Sequence, residues 1–469
     1  MLFSTTMVAP LGVSLAFDDG SANAFIGAFA VIAGVGAALW LPAARSKRDL
    51  RLREGFMVVV MFWLALGLSG AVPFLLAENP NMGLADAVFE SFSGLTTTGA
   101  TVIIGIDSLS PSILLYRQLL QWLGGMGIIV LAVAILPVLG IGGMQLYRAE
   151  TPGPMKDSKL TPRITETAKY LWYIYVGLTI LCGIAYWLAG MTPFDALAHS
   201  FSTIAIGGFS THDASMGYFA SPAIEAVAIV FMLIAGINFA LHFVCVRRLS
   251  YRGYVEDEEC RTYLLLLMGV ALITSLGLYL TSTFDNFGES VRHGVFHAVS
   301  IATTTGFTTT SYQLWPGFLP VMLLFASFIG GCAGSTGGGL KVIRVLLLLK
   351  QGKREIVRLI HPSAHVAIKL GGTPISGRVV DAVWSFFAAY VGLFALMLLA
   401  LMATGLDQVT AFSAVAACLN NLGPGLGEVG ANYANVNAFA KWILSAAMFF
   451  GRLEIFTLLV ILSPVYWRE

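Results

Sequence analysis

The sequence predicts an all-α integral membrane protein. Four pseudosymmetric repeats of helix, pore helix, filter and helix surround one pore, and two N-terminal helices precede them. Three observations lead there. The first is composition: hydrophobic residues make up 57% of the chain and charged residues 11%, with a mean hydropathy of +0.80. Such a chain cannot cover itself with polar side chains in water, whereas a bilayer suits helices that satisfy their own backbone groups. The second is a small-residue turn with one obligatory glycine that occurs four times. Its copies are Leu95-Thr96-Thr97-Thr98-Gly99-Ala100-Thr101, Ile204-Ala205-Ile206-Gly207-Gly208-Phe209-Ser210-Thr211, Ala302-Thr303-Thr304-Thr305-Gly306-Phe307-Thr308-Thr309 and Leu419-Asn420-Asn421-Leu422-Gly423-Pro424. The third is charge placement. Lys and Arg are clustered, and the four turns fall between the clusters.

Taken in order, the first apolar run, Leu2 to Phe17, is shorter than the roughly 20 residues a span needs, and it ends at Asp18-Asp19. No Lys or Arg precedes it, so it reads as a first helix with an abbreviated start and not as a signal peptide. A full span from about Ala22 to Pro42 completes a leading pair over 1–44. Arg45 to Arg53 then carries five cations in nine residues. By composition this is a solvated linker, and it also sets topology, because basic loops stay cytoplasmic. Residues 77–116 hold four acids and no Lys or Arg. The next cations, Arg148, Lys156, Lys159 and Arg163, come one span later. Residues 170–246 have none before Arg247, Arg248 and Arg252; Lys341 to Lys369 holds seven, and 379–440 none. Every glycine turn is therefore expected outside and every basic loop inside.

The repeats are expected over 45–150, 151–250, 251–360 and 361–469. Their leading spans fall at 55–76, 166–189, 262–283 and 379–404, and their short helices at 84–95, 194–204, 290–302 and 408–419. Their trailing spans fall at 113–147, 222–246, 317–350 and 438–463. At 1.5 Å per residue the short helices cannot cross ~30 Å of hydrocarbon. They must enter and return, which is tolerated only where the non-helical backbone lines a cavity or is buried in protein. Aligned on Gly99, Gly208, Gly306 and Gly423, the copies match without gaps upstream. Glu90, His199, His297 and Ala414 stand at minus nine, and Ser93, Ser202, Ser300 and Ala417 at minus six. Such a fixed register signals internal duplication.

A desolvated cation can be held by rings of backbone carbonyls that replace its hydration shell. Aiming several carbonyls at one axis needs backbone angles that a Cβ opposes and glycine permits. The residues so placed are Thr97, Thr98 and Gly99; Ile206, Gly207 and Gly208; Thr304, Thr305 and Gly306; and Asn421, Leu422 and Gly423. Four copies give four oxygens per level, and each short helix turns its partially negative C-terminal end toward the ion. The competing account, close helix contacts through small residues, does not explain four matched copies after re-entrant-length helices.

These strings, with Trp122 to Pro137 (WLGGMGIIVLAVAILP), Gly330 to Lys341 (GGCAGSTGGGLK) and Asn420 to Gly427 (NNLGPGLG), resemble the potassium-translocating membrane subunits of the Trk/Ktr/HKT cation transporter superfamily. The resemblance covers nearly the whole chain, although the family's first helix starts further upstream. It implies K⁺ uptake across a bacterial inner membrane by a homodimer in which each protomer has its own pore. It also implies a cytosolic TrkA-type nucleotide-binding ring as partner, so that ATP/ADP or NAD/NADH would act only through that ring. This chain itself needs no cofactor, with K⁺ held in the filter. The interrupted third trailing span, 330–339, is then a gate, formed by Gly334, Ser335, Thr336, Gly337 and Gly338 together with Arg452. A phosphate loop is excluded, because Leu340 separates Gly339 from Lys341 and no strand precedes it.

Arg452, mid-span, is costly in a membrane and so points to function. An ion pair with Glu454 is the plainer account, though residues two apart do not share a helix face. Arg117 and Lys441 head trailing spans and are expected to snorkel outward. His199 and His297 read as packed hydrogen bonders, Glu90 as a source of negative potential at the outer mouth, and Asp86 and Asp195 as helix caps. The five cysteines show neither metal spacing nor a disulfide framework. No nucleophile, base or carboxylate set converges, so catalysis is not expected, and nothing points to nucleic acid. A carrier that couples K⁺ entry to H⁺ or Na⁺ is the alternative, but such folds usually carry inverted repeats.

Overall fold

Helices dominate the structure, a computed structural model that describes residues 1–44, 52–130 and 164–468. The basic run from Arg45 to Arg51, the trailing span of repeat 1 beyond Val130 and the cations from Arg148 to Arg163 lie outside the described residues. Among the described residues strand is confined to one antiparallel pair, Lys369–Leu370 with Thr373–Pro374. The N-terminal run forms a 3-10 turn, Leu2–Met7, and a helix, Val8–Phe17. The helix Ala22–Ala43 follows.

The four leading helices are Leu52–Gly70 (continued by Val72–Leu76), Ile164–Leu188, Glu258–Leu280 and Gly377–Met402. Their apolar side chains, such as Leu264, Leu272, Leu396 and Leu399, are exposed on the outer surface, the arrangement a lipid solvent favours. Each leading helix packs on the short helix that follows it: Leu84–Leu95, Pro193–Ala205, Phe287–Ala302 and Gln408–Leu419. The C-terminal halves of these short helices are largely buried.

The trailing helices close the architecture. Pro111–Val130 packs on the short helix of repeat 2, Pro222–Ala235 on that of repeat 3, and Leu319–Ile329 on that of repeat 4. Ala438–Arg452 returns to the short helix of repeat 1. Each repeat thus braces the next, and the order closes into a ring.

Two features depart from the sequence expectation. The second and fourth trailing spans are broken as well as the third. Pro222–Ala235 and Phe239–Arg248 meet at 95°, and Ala438–Arg452 and Phe456–Leu462 at 113°. At the first break Gly236 closes the first helix and Asn238 caps the second, its Oδ1 accepting from the Ala240 amide at 2.8 Å. By length and composition alone, five described helices could cross a membrane, or up to seven if each bent pair is one span.

The expected caps also differ. Thr192, Asn286 and Asp407 cap the short helices of repeats 2 to 4, and Gly83 opens that of repeat 1. Asp195 lies in the first turn, where its carboxylate accepts from the Thr192 hydroxyl at 2.7 Å while Thr192 Oγ1 accepts its amide at 3.1 Å. Asp86 is also in a first turn, and its partner is Lys441.

Candidate cation pathway

At the end of each short helix the chain turns in the same way. The residue two before the filter glycine is left-handed in every copy: Thr97 (φ 53°), Ile206 (53°), Thr304 (69°) and Asn421 (54°). So are the glycines, Gly99 (81°), Gly208 (78°), Gly306 (83°) and Gly423 (98°). The residue between them lies outside that region. Its amide donates back to the carbonyl at minus six in all four copies: Thr98 to Ser93 (2.8 Å), Gly207 to Ser202 (2.9 Å), Thr305 to Ser300 (2.8 Å) and Leu422 to Ala417 (2.8 Å). These 6→1 bonds resemble a Schellman closure. They consume the amide on the helix side and leave the carbonyl facing away.

The four turns meet. A Cβ built on Gly99 would fall 2.1 Å from Gly207 O, and one on Gly208 would fall 2.0 Å from Thr305 O. On Gly306 it would fall 2.1 Å from Leu422 O, and on Gly423 2.6 Å from Thr98 O. Both the positive φ and the neighbouring carbonyl therefore exclude a side chain. The contacts run from repeat 1 to 2, 3, 4 and back to 1, so four carbonyls (Thr98, Gly207, Thr305, Leu422) form one closed ring. All twelve expected filter residues gather here. Among the described residues no group of three His, Cys, Asp or Glu side chains could hold a metal, so the oxygens on offer are carbonyls and hydroxyls.

Two expected snorkelling cations prove to be buried braces. Arg117 is fully buried. It donates to Glu90 at 2.8 Å, to Thr101 Oγ1 at 3.1 Å and to the Ser210 carbonyl at 3.1 Å, and it stacks on Phe209 at 4.2 Å. Glu90 also accepts the Val102 amide at 3.0 Å. It therefore does not act as a free negative charge at the mouth. It anchors the extended segment leaving the first glycine turn, while Arg117 ties that segment to the second turn. Lys441, nearly buried, donates to Asp86 at 2.6 Å and to Ala434 O at 2.9 Å. With Asp86 in reach, the buried ammonium is paired where the sequence predicts extension to water. His199 and His297 are packed hydrogen bonders: His199 bridges Asp195 O and Ser210 Oγ, each at 2.9 Å, and His297 bridges His293 O (3.0 Å) and Thr310 O (3.2 Å).

Above the ring lies a cavity of about 380 Å³ bordered by the four filter glycines. At its rim the loops of repeats 1 and 2 interlock. His212 hydrogen-bonds Asp107 at 2.6 Å, lies 3.5 Å from Asp195 and stacks on Tyr218 at 3.4 Å. Burial alone would lower the His212 pKa. The hydrogen bonds and charges of Asp195 and Asp107 outweigh it, and the pKa stands above its ordinary value.

Below the ring the space narrows to about 40 Å³, bordered by Gly337, Gly338, Gly339, Asn421 and Arg452. The loop 330–341 forms this floor. Gly338 N donates to Thr304 Oγ1 at 2.7 Å and Gly339 N to Asn420 O at 3.0 Å. Thr336 Oγ1 donates to Ile204 O at 2.9 Å. Arg452, buried at the end of Ala438–Arg452, donates through Nη1 to Thr336 O at 3.0 Å. Lys341 Nζ donates to Gly337 O, closing the loop on itself. Glu454 is not the partner of Arg452. It accepts from Arg344 at 2.7 Å, because the break after Arg452 turns it away. The loop rests on the break in repeat 2, where Cys332 N donates to Gly236 O at 2.9 Å and Phe239 N to Gly334 O at 3.0 Å.

Comparison with known proteins adds identity to this geometry. Residues 21–468 match the family described as TrkH, cation transport protein. The "Trk system potassium uptake protein TrkH" of Vibrio parahaemolyticus (serotype O3:K6, strain RIMD 2210633) is 59% identical over 470 residues, covering 100% of this chain and 97% of its own. The protein of the same name from Escherichia coli (strain K12) is 56% identical over 469 residues, with the same coverage. The crystal structure of the potassium transporter TrkH from Vibrio parahaemolyticus superposes with a TM-score of 0.93 at 56% identity, covering 100% of this chain and 97% of that one.

Two outcomes follow from the braces. Arg117→Met strands Glu90 as a buried charge and should cost about 3–5 kcal/mol. In thermal melts of the detergent-purified protein, Arg117→Met with Glu90→Met should lose less than the single variant. At the rim, a raised pKa means that protonating His212 strengthens the folded form. That gain is complete below the ordinary value of 6.5 and is lost as pH rises through the higher folded-state value. The melting temperature of wild type relative to His212→Gln should accordingly be higher at pH 6 than at pH 9; a pH-independent difference would contradict this.

Proposed function

The chain belongs to the TrkH family of cation transport proteins, and from that premise we propose that it takes up potassium through a pore at the centre of the four repeats. One observation carries this reading: four carbonyls close into a ring, each against a glycine that admits no side chain. Thr97 to Gly99, Ile206 to Gly208, Thr304 to Gly306 and Asn421 to Gly423 form the filter in this proposal. Their carbonyls replace water around K⁺. The four short helices end at the ring, each adding roughly half a negative elementary charge. Because the amides are already bonded to the minus-six carbonyls, the ring offers acceptors with little opposing dipole.

Gly334 to Gly338 with Arg452 act as the gate. The guanidinium pins Thr336 O under the filter, and its positive charge opposes a passing cation. The filter turns face the periplasm of the bacterial inner membrane, with the basic helix end Lys350 to Arg358 on the cytosolic side. Protomers pair as homodimers. Regulation by nucleotide acts through a separate TrkA-type ring in this proposal; the loop at 330–341 does not match a phosphate-binding motif, Leu340 separating Gly339 from Lys341.

Purified protein in liposomes tests this reading. ⁸⁶Rb⁺ uptake should be displaced by K⁺ far better than by Na⁺, and Gly99→Ser should erode the preference. Equal competition by Na⁺ in the unmutated protein would remove the filter assignment, and uptake that needs an imposed H⁺ or Na⁺ gradient would favour symport. In the same liposomes Arg452→Ala should raise K⁺ flux several-fold without changing the K⁺/Na⁺ preference. Lower flux from folded protein would mean that Arg452 supports the open pore. ATP or NADH added without the ring should have no effect.

A further inference from the structure

The carbonyl ring has one irregular member. In repeats 1, 3 and 4 the residue before the filter glycine carries a side chain: Thr98, Thr305 and Leu422. In repeat 2 it is Gly207. Gly207 does not need glycine for its backbone, since its φ is not positive. The vacated space is filled by Gln121, which arrives from the trailing helix of repeat 1, Pro111–Val130. A Cβ on Gly207 would lie 2.4 Å from Gln121 Cδ and 2.5 Å from its Oε1.

The carboxamide is fully buried and its orientation is determined. Its Oε1 accepts from the Phe209 amide at 3.1 Å and from Ser202 Oγ at 2.7 Å. The Phe209 amide can only donate, so the oxygen must lie at that end. Nε2 is therefore turned onto Gly207 O, at 2.6 Å. Among the described residues no side chain donates to the ring carbonyls of Thr98, Thr305 or Leu422. Gln118, three residues earlier on the same helix, donates to Phe209 O at 3.0 Å, one residue beyond the glycine and outside the ring.

We infer that Gln121 is a positioning residue for selectivity, which fixes the Gly207 carbonyl in the ring and through it the discrimination between K⁺ and Na⁺. A carbonyl oxygen has two lone pairs. Gln121 engages one and leaves the other to the ion. A smaller ion is held well only if the oxygens tilt inward after it, and the carboxamide opposes that tilt at the position where the backbone has least restraint of its own. The inference rests on the filter reading above and adds a residue from outside the repeated turns.

The test is competition of K⁺ and Na⁺ against ⁸⁶Rb⁺ uptake in liposomes containing the full chain. Gln121→Met keeps the length of the side chain and removes the donor. It should lower K⁺/Na⁺ discrimination roughly tenfold, the factor that one net hydrogen bond represents, while K⁺ flux persists. Gln121→Asn withdraws the amide by one methylene and reads the same quantity if Gln121→Met does not fold. Gln118→Met, which frees a carbonyl outside the ring, should leave the preference intact. Unchanged discrimination in the folded Gln121 variants, or an equal loss in Gln118→Met, would overturn the inference. If the unmutated protein itself fails to prefer K⁺, the filter reading falls instead, so the two failures are separable.

Discussion

Four backbone carbonyls brought together in one closed ring, with no helix to bond them, are the constraint on which the rest of the structure depends. A buried carbonyl without a partner is costly; among the described residues only Gly207 O of the four is bonded, by Gln121, and four held together repel one another. The fold offsets this by satisfying everything else around them. Each matching amide is bonded to the minus-six carbonyl of its own short helix. Each glycine lets the neighbouring oxygen approach closer than any side chain would allow. The cyclic packing of each trailing helix on the next short helix then holds four separately formed turns in one plane of contact. In the proposed function, a cation at the ring supplies the interaction that it lacks.

The same accounting governs the floor. Breaking a helix inside a membrane frees amides and carbonyls that water cannot reach. Here the breaks satisfy one another. Gly236 O takes the Cys332 amide, Gly334 O takes the Phe239 amide, and Thr336 bonds Ile204 O above it and Arg452 below it. The break in repeat 2 is therefore the seat of the loop in repeat 3, and the break in repeat 4 delivers Arg452 to it. A loop held by a few such bonds, and by no continuous helix, can rearrange by exchanging them, as the proposed gating requires.

Much of this was legible in the sequence because it is local. The glycine turns, the lengths of the short helices and the position at minus six (serine in three copies, Ala417 in the fourth) are all within one segment, and the fixed spacing to that position has a physical cause in the bond that its carbonyl accepts. What escaped reading depends on distant partners. Arg117 finds Glu90 27 residues upstream, and Lys441 finds Asp86 355 residues away. Charge at a helix end suggests snorkelling unless that acid is known to be near. The break at Gly236–Asn238 has only one glycine and one asparagine to announce it. That after Arg452 has only Gly451 before it, and is made by Glu454 in a left-handed conformation. Gln121 was missed for the same reason. Its signal was Gly207, a glycine where the other copies carry a side chain, and that becomes meaningful only when the neighbouring helix is seen to fill the space.

The most direct measurement of the central claim is anomalous diffraction at the rubidium edge from crystals of this protein grown in Rb⁺. The ring predicts an on-axis peak bordered by the carbonyls of Thr98, Gly207, Thr305 and Leu422, which K⁺ displaces and an equal concentration of Na⁺ does not. Rubidium bound elsewhere, with the ring unoccupied, or displaced equally by both ions, would contradict it.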